Sequence, residues 1–205
     1  MDRILKSILI VIVLSALASC GIFFTPLEGR WNPADPKSEL LSFNPTIDGY
    51  AHNSSITWEG TLTQLLAWEN SKNILLRFNT DDFPRVVAAS YLRLWVIDTP
   101  SVNTQLSIYP IKSDWKTDPD DPEFYNTVNN AGVFYDDSRV TNFLVPAFSP
   151  IGEYIEIPLG EVFSGKRDDL AKGIIIFSNV ADAMTFHSTE SGVEGTEPLL
   201  LVEPE

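Results

Sequence analysis

The stretch that decides the fold is Ser90-Tyr91-Leu92-Arg93-Leu94-Trp95-Val96-Ile97. Its aliphatic side chains recur at every second position, and a period of two is typical of a β-strand with one buried face. We therefore predict that Leu92, Leu94 and Val96 face a core and that Arg93 faces away from it.

Similar short strands are predicted along the chain from residue 46, separated by turn residues. They cover residues 61–68, 74–78, 105–109, 155–159, 174–177, 184–187 and 198–202. Residues 174–177 are apolar at every position, which suits a central strand with both faces buried. The β pattern lapses at residues 159–170, where we predict one short helix. Many short strands of this kind are typical of a β-sandwich or barrel.

The composition describes one acidic globular domain. The chain has 205 residues, 44% of them hydrophobic, and a formal net charge of −14. This length suits a single all-β domain that folds without disulfides. The single cysteine excludes an internal disulfide and a zinc site of several thiolates. Because phosphate binding needs clustered Lys and Arg, the acidic balance argues against nucleic acid as a partner.

Residues 1–19 are predicted to be a signal peptide. Arg3 and Lys6 precede the apolar run 8–14, and small residues lead to Cys20. Leu17-Ala18-Ser19-Cys20 resembles the bacterial lipobox, whose cysteine is lipidated and becomes the mature N-terminus. The competing interpretation is a transmembrane anchor, but the apolar stretch is shorter than the roughly 20 residues that a spanning helix needs.

Lipidation of Cys20 would attach the chain to a membrane through acyl chains, at about 0.8 kcal/mol per buried CH₂. Removal of residues 1–19 leaves 12 basic and 27 acidic side chains, a net charge of −15. Because Gly21 follows the cysteine rather than Asp, the expected location is the cell envelope, and the outer membrane if the host is Gram-negative. Residues 20–45, with four prolines, are predicted to be a tether, and residues 46–205 the folded domain.

Several short motifs occur in an order that one known family shares. They are Asn73-Ile74-Leu75-Leu76-Arg77-Phe78-Asn79, Phe83-Pro84, residues 88–96, Ile108-Tyr109-Pro110-Ile111, Ser113-Asp114-Trp115, residues 186–190 and residues 197–200. With Thr46-Ile47-Asp48-Gly49-Tyr50 at the start, this order resembles the DNRLRE (disaggregatase-related) domain over roughly residues 46–203. The chain departs from the family at Asn79, where Asp is common, and near Phe163, where a Trp is usual.

The resemblance implies a jelly-roll β-sandwich of about eight to ten antiparallel strands, of the carbohydrate-binding-module type. Such domains are often attached to polysaccharide-degrading enzymes or displayed on cell surfaces. No attached enzyme is recognised in this chain, so the resemblance implies a binding module that acts by itself. Since one fold serves many functions, the ligand does not follow from it.

Nucleophilic catalysis has little support in the sequence. The chain has two histidines, His52 and His187, and Cys20 is assigned to the lipid. Ser188 follows His187, but neighbouring strand residues point to opposite faces, so no dyad is expected. A carboxylate pair for glycoside hydrolysis stays open, because distances across strands cannot be read from the sequence. We predict a non-catalytic protein with no required cofactor.

The densest run of oxygen ligands lies at residues 118–123, Asp-Pro-Asp-Asp-Pro-Glu. Calcium takes 6–8 oxygen ligands, and Asp118, Asp120 and Asp121 are the candidates for a structural calcium site. The run lacks the Gly and the distal Glu of an EF-hand loop, and a solvated acidic loop is the favoured interpretation.

Aromatic side chains are the candidate carbohydrate site, because the C–H faces of sugars stack on exposed rings. The rings near predicted loops are Trp58, Trp68, Trp115 and Tyr125. The opposite interpretation is that they pack on the core, which is common for residues of this size. Trp95 lies in the middle of a strand and is predicted to pack.

The sequence thus predicts a membrane-anchored lipoprotein whose jelly-roll domain binds a glycan without catalysis. The alternative is a structural or adhesion protein of the envelope that contacts protein partners of unknown identity. A glycoside-active enzyme comes third. The net charge of −15 disfavours a polyanionic glycan unless calcium bridges it.

Overall fold

The folded unit is built almost entirely of strands. The computed structural model describes residues 40–52, 58–59, 62–69, 71–115, 131–160, 162–163 and 170–205, with the backbone alone at residues 52, 58 and 59. Its strands are β1 (Leu41–Phe43), β2 (Pro45–His52), β3 (Trp58–Glu59), β4 (Gln64–Ala67), β5 (Lys72–Phe78), β6 (Val87–Asp98), β7 (Thr104–Pro110), β8 (Thr141–Val145), β9 (Tyr154–Pro158), β10 (Ile174–Ser178), β11 (Met184–His187) and β12 (Leu199–Pro204). A 3₁₀ turn spans Thr189–Ser191.

The strands form two antiparallel sheets of six strands each. Sheet 1 has the order β1-β12-β6-β11-β4, and β9 pairs with β6 off this path. Sheet 2 has the order β3-β2-β5-β10-β7-β8. The predicted all-β sandwich is confirmed, and the arrangement is consistent with a jelly roll.

The core lies between the sheets and receives every second side chain of the long strand β6. Leu92, Leu94 and Val96 are fully buried, whereas Arg93 on the other face is partly exposed. From sheet 2, the aliphatic side chains of β5, β7 and β10 fill the opposite half of the same cluster. The predicted inward and outward faces of residues 90–97 are therefore confirmed.

Strand β10 is central in sheet 2, as its continuous apolar run predicts, and pairs with β5 and β7. Gly173, directly before it, has φ +90°, and a Cβ atom there would lie 2.1 Å from the carbonyl oxygen of Leu76. Only glycine fits this close backbone approach, so Gly173 fixes where β10 enters the sheet.

Three sequence predictions need correction. The domain was predicted to start at residue 46, but β1 begins at Leu41 and pairs with β12, because Leu41–Phe43 complete the edge of sheet 1. The described residues contain twelve strands rather than eight to ten. Strand β8 was missed because its alternation buries Thr141 and exposes Leu144, the reverse of what side-chain polarity suggests.

The predicted short helix lies mostly outside the described residues, at 161 and 164–169. The described segments contain no helix of seven or more residues. Within those same segments, no helix is long and apolar enough to cross a membrane.

Candidate functional site

The predicted site residues are dispersed over the chain. Trp58 lies in β3, at the edge of sheet 2, paired with Ala51 of β2. Trp68 follows β4 and is 37% exposed. The other predicted site residues, apart from Trp115, lie outside the described part of the chain, namely Cys20, Asp118, Asp120, Asp121 and Tyr125.

Trp115 is buried, with 4% of its surface exposed, so the prediction that it is an exposed ring is wrong. Its indole Nε1 donates a hydrogen bond to the carbonyl oxygen of Lys172 at 2.6 Å. The guanidinium of Arg77 stacks 4.3 Å from the ring centroid and donates a hydrogen bond to the Trp115 carbonyl. Such a cation–π contact stabilises the stacked pair. Trp115 therefore acts as a packing residue.

Trp115 belongs to a second apolar cluster, on the outer face of sheet 2. Residues 111–115 and 131–135 lie over this face and contribute Ile111, Trp115 and Phe134 to the cluster. The backbone N–H of Lys112 donates to the carbonyl of Phe134 at 2.8 Å, which joins the two segments. This sheet face is therefore largely covered by the chain's own loops.

The outer face of sheet 1 carries a set of partly exposed side chains that we call the ring face. It consists of Arg93 and Trp95 of β6, Tyr154 and Glu156 of β9, and His187 of β11. The register brings them together, since Arg93 pairs with Glu156 and Trp95 with Tyr154. Four of the five are polar or ionisable, so the face combines a flat apolar ring with hydrogen-bonding groups.

Trp95 is the centre of the ring face. Its ring meets Tyr154 edge-on with 5.0 Å between centroids, and the His187 ring lies 6.5 Å away. Trp95 is half-buried, so its position in the middle of a strand does not place it in the core. The sequence assigned Trp95 to packing, and the rings around it do pack against one another while part of the indole stays accessible.

Charged groups flank the rings on one side. Arg93 forms an ion pair with Glu156 at 2.8 Å, with 36% and 46% of the two side chains exposed. The same guanidinium lies 5.2 Å from the centroid of the Tyr154 ring. The face thus offers guanidinium donors and carboxylate acceptors next to an aromatic surface.

Residues 193–197 hold the other side of the ring face in position. The Tyr154 hydroxyl donates to the carbonyl of Gly195 at 2.8 Å, and burial raises the pKa of this tyrosine above its ordinary value. Thr196 Oγ1 donates to the carbonyl of Val193 at 2.8 Å and lies 2.5 Å from His187 Nδ1. Since the threonine proton is used on Val193, Nδ1 of His187 is assigned as the donor to Thr196 Oγ1.

The hydroxyl of Ser188 is not a partner of His187. It donates to the carbonyl of Leu62 at 2.6 Å and accepts from the backbone N–H of Glu190 at 3.1 Å, as an N-cap of the 3₁₀ turn. Both of its hydrogen-bonding roles are therefore structural.

Asp48 is the one described carboxylate with a strongly altered environment. It is 3% exposed, and its oxygens accept from Thr189 N at 2.8 Å and from Thr189 Oγ1 at 2.5 Å. Burial raises its pKa from 3.8 to about 6, against the opposing effect of the Thr189 hydrogen bonds, and nearby Glu190 raises it further. Asp48 fastens the turn that precedes residues 193–197, so its role is positional.

The described residues contain no group of three or more His, Cys, Asp or Glu that could hold a metal ion. The candidate calcium ligands in the acidic run are not among those residues, so the calcium alternative stays a prediction.

Comparison with known proteins adds no identification. No protein-family model matches the chain, and no curated protein matches it. The resemblance to the DNRLRE domain therefore stays a prediction.

Proposed function

We propose that this chain is a lipid-anchored protein of the bacterial cell envelope that binds carbohydrate through the ring face, without catalysis. The observation that carries the proposal is the half-buried Trp95, held in a fixed orientation on the outer face of a sheet with charged groups beside it. The resemblance to the DNRLRE domain and the sandwich fold support it, although fold alone does not identify a ligand.

The chemistry of the ring face suits a sugar. A pyranose ring presents an apolar C–H face, which an aromatic ring covers, and hydroxyl groups around its edge, which need both donors and acceptors. Arg93 supplies donors, Glu156 supplies acceptors, and the His187 ring adds a further polar group. Few side chains need ordering on binding, because contacts within the face already hold them.

The alternative is an envelope protein that makes protein–protein contacts through its sheets. A large, flat apolar patch would favour that function. On sheet 1, the Arg93–Glu156 ion pair interrupts the apolar surface beside Trp95. The outer face of this sheet is therefore better suited to a polar ligand with one apolar side.

The anchoring part of the proposal rests on the sequence around Cys20, which resembles a lipobox. Acylation at this residue would hold the domain at the membrane, in the outer membrane if the host is Gram-negative. Several acyl chains on one cysteine would give firm attachment, whereas a single chain binds only reversibly.

The test is glycan-array binding of the full-length chain in detergent, with and without calcium, followed by titration of each glycan that binds. Trp95→Ala should weaken binding by about tenfold or more, as expected for an aromatic anchor. Trp68→Ala is the matched control, because this exposed ring lies outside the ring face. Equal losses in both variants would place the ligand elsewhere. A wild-type chain that binds no glycan would favour the protein-contact alternative.

A further inference from the structure

One end of the sandwich, which we call the loop end, concentrates exposed apolar side chains. It is formed by residues 68–69 and 71–72 and the segments 99–103, 146–153 and 179–183. Hydrogen bonds join these segments, among them Glu69 N to Val180 O at 2.8 Å and Ala147 N to Asn103 Oδ1 at 2.9 Å. Five of the ten exposed large hydrophobic residues in the described part of the chain lie at or beside this end: Trp68, Val102, Leu144, Phe148 and Ile151.

Phe148 is the most exposed of them, at 78%, and Ile151 follows at 62%. Phe148 also has φ +57°, in the left-handed region that bulky residues rarely occupy. Among the described non-glycine residues, no other has a positive φ. Backbone strain of this kind persists where surrounding contacts impose it, and an exposed phenyl ring on a strained turn points to a function.

The turn that carries Phe148 is firmly held. Ser149 Oγ donates to the carbonyl of Pro146 at 2.7 Å, and Thr99 Oγ1 donates to the carbonyl of Ser149 at 3.4 Å. Further along, Gly152 N donates to the carbonyl of Val96 at 2.8 Å. The phenyl ring is therefore presented to solvent by an ordered turn, so little conformational entropy is lost when it is buried in a partner.

The charges at the loop end are acidic. The exposed ionisable residues of its segments are Glu69, Asp98 beside segment 99–103, Glu153 and Asp182. The basic residue in this region is Lys72, whose Nζ lies 3.3 Å from the Tyr50 hydroxyl and 4.5 Å from the Tyr50 ring centroid. The loop end would therefore not be attracted by anionic lipids, and any membrane contact would rest on burial of its apolar side chains.

The chain enters the sandwich at the other end. Leu41 pairs with Val202 near the start of β6, whereas the loop end follows the last residue of β6, Asp98. The segment between Cys20 and the fold has about twenty residues and can extend to roughly 66 Å at about 3.3 Å per residue. A strand of the length of β6 spans only about 40 Å at the same rise. The tether is therefore long enough for the loop end to reach the bilayer that holds Cys20.

We propose that the loop end inserts the apolar side chains of Phe148, Ile151 and Val102 into the acyl-chain boundary of the bilayer to which Cys20 is anchored. This inference rests on the proposed lipidation. The side chains project from two loops, 99–103 and 146–153, the most exposed of them from a turn, and penetration of a bilayer suits this shape better than a flat protein contact does. The contact would give the lipoprotein a second membrane attachment and set the orientation of the ring face.

The test uses the full-length chain with Phe148→Cys, labelled with an environment-sensitive fluorophore. It is reconstituted in phosphatidylcholine vesicles with or without lipids that carry a quencher on the acyl chain. Since Cys20 is the single native cysteine, its acylation leaves the introduced thiol as the one reactive site. Val86→Cys is the matched control, because Val86 is 49% exposed at the end where the chain enters. Ile151→Cys provides a second probe of the loop end.

We expect lipid quenching to lower the emission at positions 148 and 151 at least twofold more than at position 86. Equal quenching at all three positions would overturn the inference. The inference would also be overturned if the fluorophore at position 148 were shielded from water in a way that depends on protein concentration rather than on lipid. That result would indicate contact with another copy of the protein. Intact mass reports acylation separately: an acylated Cys20 with an unquenched probe overturns the loop-end insertion alone, whereas an unacylated Cys20 overturns the anchoring proposal.

Discussion

The two outer faces of the sandwich differ in what lies over them. On sheet 2, residues 111–115 and 131–135 cover the strands and bury Trp115 and Phe134 in a second apolar cluster. On sheet 1, within the described part of the chain, residues 193–197 contact Tyr154 and His187 at one side of the ring face, and Trp95 is half-buried. Two tryptophans that both lie outside the central core therefore have different environments. Trp115 is buried within an apolar cluster, whereas part of the Trp95 ring stays exposed.

The cations beside these two rings show the same contrast. Arg77 stacks on Trp115, and burial lowers the pKa of Arg77 below its ordinary value. Arg93 is 36% exposed and paired with Glu156. Because water screens the second pair more than the first, the Arg77–Trp115 pair should contribute more to the free energy of folding than the Arg93–Glu156 pair does.

The largest difference should appear when each tryptophan is truncated. Trp115→Ala removes a buried ring, its hydrogen bond to Lys172 and the stacking surface of Arg77, and should lower the free energy of unfolding by about 3–5 kcal/mol. Trp95→Ala should cost about 1 kcal/mol, the ordinary effect of a point substitution. Urea denaturation of both variants measures the difference. Similar losses would mean that the two faces are equally important for folding.

The next largest effect is the pH dependence of the free energy of unfolding. Two different carboxylates, Asp48 and Asp136, support the two faces, and their pKa values are shifted in opposite directions. Asp48 has a folded-state pKa of about 6, above its ordinary value of 3.8, so the folded state holds its proton more tightly. Its contribution to stability is complete below pH 4 and is lost as the pH rises through about 6, amounting to about 2–3 kcal/mol. Asp48→Asn should remove this slope in urea titrations between pH 4 and 8.

Asp136 follows residues 131–135, which lie over sheet 2. It serves as a control because its pKa is shifted in the direction opposite to that of Asp48. The Ser138 hydroxyl donates to its carboxylate at 2.7 Å and lowers its pKa below the ordinary value. The contribution of Asp136 to stability is present at pH values above the ordinary pKa of its carboxyl group and is lost as the pH falls. Asp136→Asn should therefore leave the slope between pH 4 and 8 unchanged. A variant of Asp48 that keeps the wild-type slope would show that another group causes it.

The smallest effect should come from the ion pair on the open face. A double-mutant cycle with Arg93→Ala and Glu156→Ala should give a coupling energy of about 0.5 kcal/mol, since both side chains are partly exposed to water. The coupling should decrease at 1 M salt, where the screening length falls to about 3 Å. A coupling of several kcal/mol that does not respond to salt would show that the ring face is more enclosed than its exposure indicates.

Much of the fold could be predicted from local pattern. The alternation of Leu92, Leu94 and Val96 identified the core face, and the apolar run 174–177 identified a central strand. Both predictions follow from the twofold period of a strand. Strand β8 was not predicted because Thr141 is buried and Leu144 is exposed. Strand β1 was not predicted because its pairing with β12 joins residues far apart in the sequence.

The candidate site could be predicted much less well. Proximity to loops suggested exposure of Trp115, but the segment that carries it folds back over sheet 2 and buries it. The alternation around Trp95 placed its ring on the outer face of a strand, yet could not tell that the described residues leave this ring half-buried. Phe148 gave no local signal, because its strain and exposure depend on contacts with Pro100 and Asn103 of another loop.

By itself, the sequence determined the all-β class, the inward faces of the strands and the acidic charge, because each depends on residue type and on neighbours within a few positions. Only the tertiary structure decided which sheet face is covered, which tryptophan is buried and where the exposed apolar side chains gather. These properties depend on pairing between segments as distant as β6 and β9, or residues 48 and 189. The free energy of such contacts is set by burial and geometry, which a local pattern does not contain.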